Sequence, residues 1–457
     1  MTESRITKEE YINIINSIIK IENSTTFTID LLNQNISDIK LYQSIVYYTK
    51  THKLPEHLKL IRKLYLDDNQ FTYGYRLLFN ILKLSNITFL SLHNNKLDDA
   101  GTIILATYLC NSHSSHPSHP SHPRHPSNPN NTYLSHLKYL DISKNLIGYE
   151  GAQAIAEALK THKCLIELDM NDNNIGSEGA NYIGEMLKLN TSIELLNLND
   201  NNIKIYESNI FAEGISINKS LYFLDIGYNQ FNEPNFIYEN IEDIFKLIFS
   251  SKAIKYLIYD FSDIDDIIMQ YIANELKTNN ILLELSLRCA EISNEGAYLL
   301  FDALKNNKNS VLKTITLSTT LIDNECLSSL AELLGENEVL QTIDMYDTEI
   351  NNKGLLELSK RKELKYNDSI VVLTFGQEDI EEEDPICNTD ITNLLNRNIN
   401  LFWKPYIHKF KLFNKELHLM IMSTLLCNTY GQLKVRLPME VIMYIFKFFN
   451  RANFLNY

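Results

Sequence analysis

Residues 137–160 read LKYLDISKNLIGYEGAQAIAEALK. Leu140 and Ile142 alternate with Tyr139, Asp141 and Ser143, the period of two expected for a strand with one buried face. Beyond Asn145 the period changes: Ala152, Ile155, Ala156 and Leu159 fall at i, i+3, i+4 and i+7, which predicts an amphipathic helix. One strand and one helix of this length cannot bury both of their apolar faces. The same pattern returns 28 residues on, in LIELDMNDNNIGSEGANYIGEMLK, and again in LLELSLRCAEISNEGAYLLFDALK at 282–305. Each unit is therefore covered by further copies of itself.

A template Leu-x-x-Leu-x-Leu-x-x-Asn-x-Leu fits eleven times, its Asn position falling at Asn69, Asn95, Asn145, Asn173, Asn201, Asn229, Ser262, Ala290, Thr320, Thr348 and Glu378. A degenerate copy with Ile29, Leu31, Gln34 and Ile36 precedes them. Apart from one long gap the steps run from 26 to 33 residues, enough for a strand, a turn, a helix and a return loop, and so for one right-handed βα unit per repeat. Residues 26 to about 380 thereby resemble the leucine-rich repeats of the ribonuclease-inhibitor type. The resemblance implies an α/β solenoid, a horseshoe with a curved parallel sheet on its concave side and helices outside. It also implies that the Asn amide satisfies backbone groups in each turn, a role that Ala290 and the charged Glu378 cannot fill in the same way. Thr7 and Glu10 stand at capping-box spacing ahead of Ile12, Ile15, Ile18 and Ile19, which predicts a helix over about 7–21 and an N-terminal cap in residues 1–25.

The long gap contains NSHSSHPSHPSHPRHPSNPNN at 111–131, where His113, His116, His119, His122 and His125 recur every third residue. That spacing suits a polyproline II ribbon with imidazoles along one edge, for metal or proton binding. The heavier reading is a low-complexity loop with nothing to bury. The repeats, 26–385, end near the short acidic run GQEDIEEEDP. An acidic segment also follows the repeats of the Ran GTPase-activating proteins, but theirs is much longer. The helical C-terminal tail, 386–457, carries Trp403, Pro405 and His408, similar to a Trp-x-Pro-x-x-His tail of some amoebal and large-DNA-virus repeat proteins. Its end resembles the first half of an F-box: Leu437, Pro438, Glu440, Val441 and Ile445 match the start of that motif. That resemblance implies docking on a Skp-type ubiquitin-ligase adaptor, and the alternative is a helix that packs on the preceding one.

Charge and composition narrow the partners. A net charge of −15 with a pI near 5.3 disfavours nucleic acid and anionic membrane surfaces and favours a basic protein. The N-terminus is too polar for a secretory signal, and no apolar run approaches the roughly 20 residues of a membrane helix, so a cytoplasmic location is expected. Six scattered cysteines include no Cys-x-x-Cys pair, so neither a zinc ribbon nor a dense disulfide framework is expected. The cluster DFSDIDD at 260–266 lacks the Gly turn and closing Glu of a calcium loop and reads as a polar repeat loop. There is no phosphate-binding Gly-x-x-x-x-Gly-Lys-Ser/Thr loop and no His-Glu-x-x-His. The expectation is a non-catalytic scaffold without cofactor or metal; a ubiquitin-ligase substrate receptor and a Ran-type GTPase activator are the alternatives.

If the template holds, side chains two, four and six places before the Asn position face the concave side. Those rows hold Asp67, Asp141, Asp169, Asp225, Asp260 and Asp344 beside Tyr65, Tyr139, Phe223, Tyr256 and Tyr346. Rings for burial and carboxylates for steering suit a basic protein partner. The plainer reading is that the aspartates only keep an exposed sheet soluble.

Overall fold

A computed structural model describes residues 19–23, 26–30, 61–69, 86–109, 134–230 and 240–375. Among the described residues thirteen strands form a single sheet in chain order, β1 (Ile19–Asn23) to β13 (Val372–Thr374). Only β1 and β2 (Thr26–Asp30) pair antiparallel; from β2 onward each strand adds in parallel to the one before. The helix expected over 7–21 lies outside the described residues except for its last positions, and there Ile19 to Ile21 belong to β1. Strand β2 is the strand of the degenerate first copy and pairs with β3 (Ile61–Tyr65).

The repeating unit is the one anticipated. In β5 (Tyr139–Asp141), β6 (Glu167–Asp169) and β7 (Leu195–Asn197), Leu140, Leu168 and Leu196 sit in direct register. Behind them lie α2 (Tyr149–Leu159) and α3 (Gly176–Leu187), whose Ile155, Leu159, Ile183 and Leu187 are buried with those leucines. Large apolar side chains buried in this way are worth roughly 1.5–3 kcal/mol each, and because repeats touch only their neighbours the core is a continuous seam. Strand β4 (Phe89–Ser91), which precedes α1 (Asp99–Leu109), pairs directly with β5 across the long gap in the repeat spacing.

Two ladders of polar side chains hold adjacent repeats together. On the strand side, Asn145, Asn173, Asn201 and Asn229 each donate to two carbonyls of their own turn and one of the preceding repeat; Asn201 reaches Met170 O at 2.9 Å as well as Leu198 and Asn199 O. On the return side of the helices, Asn190, Asn218, Asn279, Asn307, Asn337 and Asn367 donate backwards, Asn218 to Leu187 and Asn190 O at 2.7 and 2.9 Å. Their side-chain oxygens accept from the start of the next strand segment, as Asn218 does from Ser220 and Leu221 N. His162 fills the first described rung, Nε2 at 3.0 Å from Leu134 O and Nδ1 accepting from Leu165 N at 3.1 Å.

Helix starts are also tied across repeats. Asp99 in α1 accepts from Gly148 and Gly151 N at 2.8 and 2.7 Å, capping α2 from outside. A Cβ at Gly151 would come within 2.6 Å of that carboxylate, which explains the glycine. In the 260–266 cluster, Asp265 caps α6 (Asp266–Leu276) through Ile268 N, while Asp266 accepts from Ser293 and Gly296 N at the start of α7 (Asn294–Asn306). These aspartates are helix caps, in keeping with a polar repeat loop.

Candidate functional site

The face of the sheet opposite the helices presents the three rows that the template predicts. Its members sort into separate groups along the solenoid. Tyr65, Asp67, Tyr139, Asp141 and Asp169 lie together on the adjacent rungs β3 to β6. Asp225 and Tyr256 lie on β8 (Phe223–Asp225) and β9 (Tyr256–Ile258). Asp344 and Tyr346 belong to the rung of β12 (Thr342–Asp344), with β10 (Glu284–Ser286) and β11 (Thr314–Thr316) intervening. Leu437, Pro438, Glu440, Val441 and Ile445, the candidates for adaptor binding, lie outside the described residues, as do Glu378, Trp403 and the His-Pro-Ser tract.

The first group is an aromatic strip. Phe89 and Tyr139 stack at 4.1 Å with their planes 2° apart, and Tyr65 tilts against Phe89 at 4.7 Å. All three rings are half-buried. Phe89 stands six places before Asn95, so the same template rule that selects Tyr139 finds it. On β9, Tyr256 is joined by Phe223 at 6.4 Å and by Tyr222 edge-on at 6.1 Å.

The carboxylates are more engaged than a steering role needs. Ser91 donates to Asp67 and lies 3.4 Å from Asp141, tying the two, while His93 N also donates to Asp67. Asp141, Asp169, Asp225 and Asp344 each accept from the backbone N–H two residues on, at 3.0 to 3.1 Å. Asn197 and Asn199 donate to Asp169 and Asp225 from neighbouring rungs, and Ser318 and Thr374 flank Asp344 on both sides. Asp260 accepts from Ser286 Oγ and Arg288 N. These bonds give the aspartates a turn-bracing role.

Crowding on the sheet also changes their charge. Burial, then the neighbouring Asp141, pushes the Asp169 carboxyl up to about 7, against the pull of its hydrogen bonds from Asn171 N and the Asn197 amide. Burial raises Asp225 to about 6 and, with Asp260 beside it, Glu284 to about 7. Asp67 and Asp260 are raised as well, burial being the main cause. Around neutrality the face is therefore less negative than its composition, and its charge grows with pH. Among the described residues no group of His, Cys, Asp and Glu has the arrangement of a metal site, and no helix is long and apolar enough to cross a membrane.

An outer row was not singled out by the template, which treats the place before the Asn position as variable. Asp68, Asn94, Lys144, Asp172, Asp200, Tyr228, Phe261, Cys289, Thr319 and Asp347 all occupy it with φ between 49° and 58°. Cys289 keeps this geometry although Ala290 follows it, and its N–H bonds Ser318 O at 2.9 Å. The missing amide at Ala290 thus leaves the turn intact.

Repeated strand-turn-helix units stacked into one open parallel sheet define a leucine-rich repeat solenoid. Three segments, 133–156, 161–184 and 278–301, match the family model described as leucine-rich repeat. Comparison with curated proteins gives no match. Among solved structures, an internalin from Listeria monocytogenes is similar over 83% of this chain and 90% of its own, with 14% identity and a TM-score of 0.40. Actin-binding site 2 of leiomodin-1 is similar over 32% of this chain and 82% of its own, at 19% identity and a TM-score of 0.27.

Proposed function

We propose that this protein is a non-catalytic interaction scaffold of the cytoplasm that receives a protein partner on the open face of its sheet, with the Tyr65, Phe89 and Tyr139 strip as the main anchor. The observation that carries this reading is the strip itself. Three touching rings on the open face offer buried area with few torsions to freeze, the composition that dominates binding energy at interfaces. Carboxylates beside the strip favour a basic partner, and their raised pKa values give the binding a direction with pH. Asp169, raised to about 7, is largely protonated below about pH 6 and ionised above about pH 8. A basic partner therefore binds more tightly at the higher pH.

The test compares wild type with a Phe89→Ala, Tyr139→Ala double variant in affinity capture from the native cell, followed by titration of the captured protein. Loss of the stacked pair weakens a genuine partner by roughly tenfold or more. A partner held equally by the variant, or equally at both pH values, removes the strip or the carboxylates, respectively, from the interface. A second reading rests on Leu437, Pro438, Glu440, Val441 and Ile445. If the F-box-like tail is functional, the full chain co-precipitates the Skp-type adaptor, and Leu437→Ala with Ile445→Ala abolishes it.

A further inference from the structure

The outer row of turn residues changes character halfway along. Lys144, Asp172 and Asp200 are followed by Tyr228 and Phe261, all with φ between 50° and 53°. Aspartate enters the left-handed region readily, whereas a bulky aromatic side chain there is an outlier, and such outliers concentrate where function requires them. Neither ring gains burial from the arrangement: Tyr228 is 46% exposed and Phe261 39%. They stack on each other at 4.2 Å with planes 17° apart. The Arg288 guanidinium, from the next repeat, lies 5.7 Å from the Phe261 ring centre. Repeats succeed one another in one direction along the sheet, so Phe261 is flanked by Tyr228 on one side and by a cation on the other.

Tyr228 has its neighbour on only one side. Its other side faces the preceding turns, whose exposed residues are Asp200 and Asp172 together with Asn202 and Asn174, the last two hydrogen-bonded to each other at 2.9 Å. Elsewhere in the row carboxylates are paired: Asn94 donates to Asp68 at 2.5 Å and Thr319 to Asp347 at 3.3 Å. Asp172 and Asp200 have no such side-chain hydrogen bond and no ion pair among the described residues; Lys144, one turn further, does not reach them. Midway along, the turn row thus holds a stacked ring pair with a cation on one side and, on the other, two carboxylates that have no side-chain hydrogen bond or ion pair among the described residues.

We propose that the outer face of Tyr228, with the Asp200 and Asp172 carboxylates beside it, receives an arginine side chain from a protein partner, repeating on Tyr228 the contact that Arg288 makes on Phe261. A guanidinium suits the place better than an ammonium, because its plane stacks on a ring while its edge donates to a carboxylate. The biological use of this contact rests on the scaffold reading above. The site itself lies on the turn rim, away from the Phe89 strip, and binds or fails to bind without any partner.

The experiment is ligand-observed saturation-transfer NMR on the full chain with N-acetyl-arginine amide, N-acetyl-lysine amide and N-acetyl-norleucine amide. The arginine probe is expected to bind saturably and to show its strongest transfer at the δ-methylene beside the ring. Tyr228→Ala, or Asp172→Asn with Asp200→Asn, should weaken it by roughly fivefold, while Tyr228→Phe, which keeps the ring, retains it. The asparagine changes lie on exposed turns and leave the circular dichroism unaltered, so lost binding there is not lost folding. Equal signals from the arginine and lysine probes overturn the guanidinium assignment. Binding that survives Tyr228→Ala, or arginine binding no stronger than norleucine, overturns the site. Loss of partner capture in the Phe89, Tyr139 variant with arginine binding intact separates this site from the open-face interface.

Discussion

The repeats before residue 230 and those after it solve the same turn differently. In the earlier ones a buried asparagine reaches across to the preceding repeat, as Asn201 does to Met170 O and Asn229 to Leu198 O. In the later ones the same place holds Ser262, Thr320 and Thr348, whose hydroxyls bond Asp260, Leu317 and Met345 O within their own turns, or Ala290, which has nothing to donate. The left-handed residue before it persists in both, φ 51° at Asp200 and 58° at Thr319. Backbone bonds persist too: Thr319 N meets Tyr346 O at 2.8 Å as Asp200 N meets Gly227 O at 3.0 Å. The turn shape is thus set by the main-chain ladder, and the amide adds cohesion between repeats. In the later half that cohesion comes from the helix side, where Ser251 interrupts the ladder and Asn279, Asn307, Asn337 and Asn367 resume it.

The largest expected effect follows directly. Asn201→Ala removes three donated bonds that span two repeats, although Met170, Leu198 and Asn199 O each keep one other donor, and costs about 2 kcal/mol, while Thr320→Ala removes one bond within a turn and costs about 1 kcal/mol. Urea unfolding of the two variants, with hydrogen exchange at the neighbouring strands, makes the comparison. Equal losses would mean that both halves depend on the turn side chain alike.

How much of this the sequence discloses varies with the physics involved. The strand-side ladder is legible because its asparagines sit at a fixed offset from the Leu pattern of the repeat. The helix-side ladder is not: Asn190 and Asn218 fall in loops of an asparagine-rich chain, and their partners Leu159 and Leu187 lie 31 residues back. The open-face rows follow from the period of two, so Tyr139 and Asp141 are found, and Phe89 can be found the same way. Their charge state cannot be, because it depends on how tightly neighbouring rungs crowd Asp169. At the N-terminus, Ile18 and Ile19 continue a helical period, yet Ile19 and Ile21 pair with Ile29 and Phe27. There β-branched side chains and an available partner strand override local periodicity.

A smaller effect separates the halves by pH. His162 is the one rung described on the helix side with an imidazole, and its contacts require the neutral ring with the proton on Nε2. Burial lowers its pKa, against the pull of the Leu134 carbonyl. The sign is that of a depressed folded-state pKa: the stabilisation is complete above the unfolded value of about 6.5 and is lost as pH falls below it. Asp169, Asp225 and Glu284, raised by burial, act with the opposite sign: their stabilisation is present below the ordinary carboxylate range of about 4 and is lost as pH rises from there to about 6 to 7. Wild type compared with His162→Asn isolates the histidine. The asparagine keeps a donor and an acceptor, so the two should agree within about 1 kcal/mol at pH 8. Wild type should fall behind as the pH drops below about 6, with exchange rising first in β5 and β6. Parallel curves for the two proteins would place the acid-sensitive contact elsewhere.

The smallest effect sharpens the comparison at its boundary, where the turn row passes from Asp200 to Tyr228 and Phe261. Replacing either ring by asparagine removes the stacked contact, worth about 0.5–1.5 kcal/mol, but relieves a left-handed bulky residue, worth about 1–2 kcal/mol. The terms nearly cancel, so Tyr228→Asn and Phe261→Asn should each leave stability within about 1 kcal/mol of wild type in urea unfolding. That near-neutrality is informative because both rings are exposed: a side chain that the fold does not need, held in a backbone shape that disfavours it, is retained for contact with something outside the chain. A loss above about 2 kcal/mol would show instead that the rings clamp the two repeats together where the asparagine ladder ends at Asn229. Tyr228 and Phe261 would then be the structural replacement for that ladder, and the arginine site would lose the strain argument on which it partly stands.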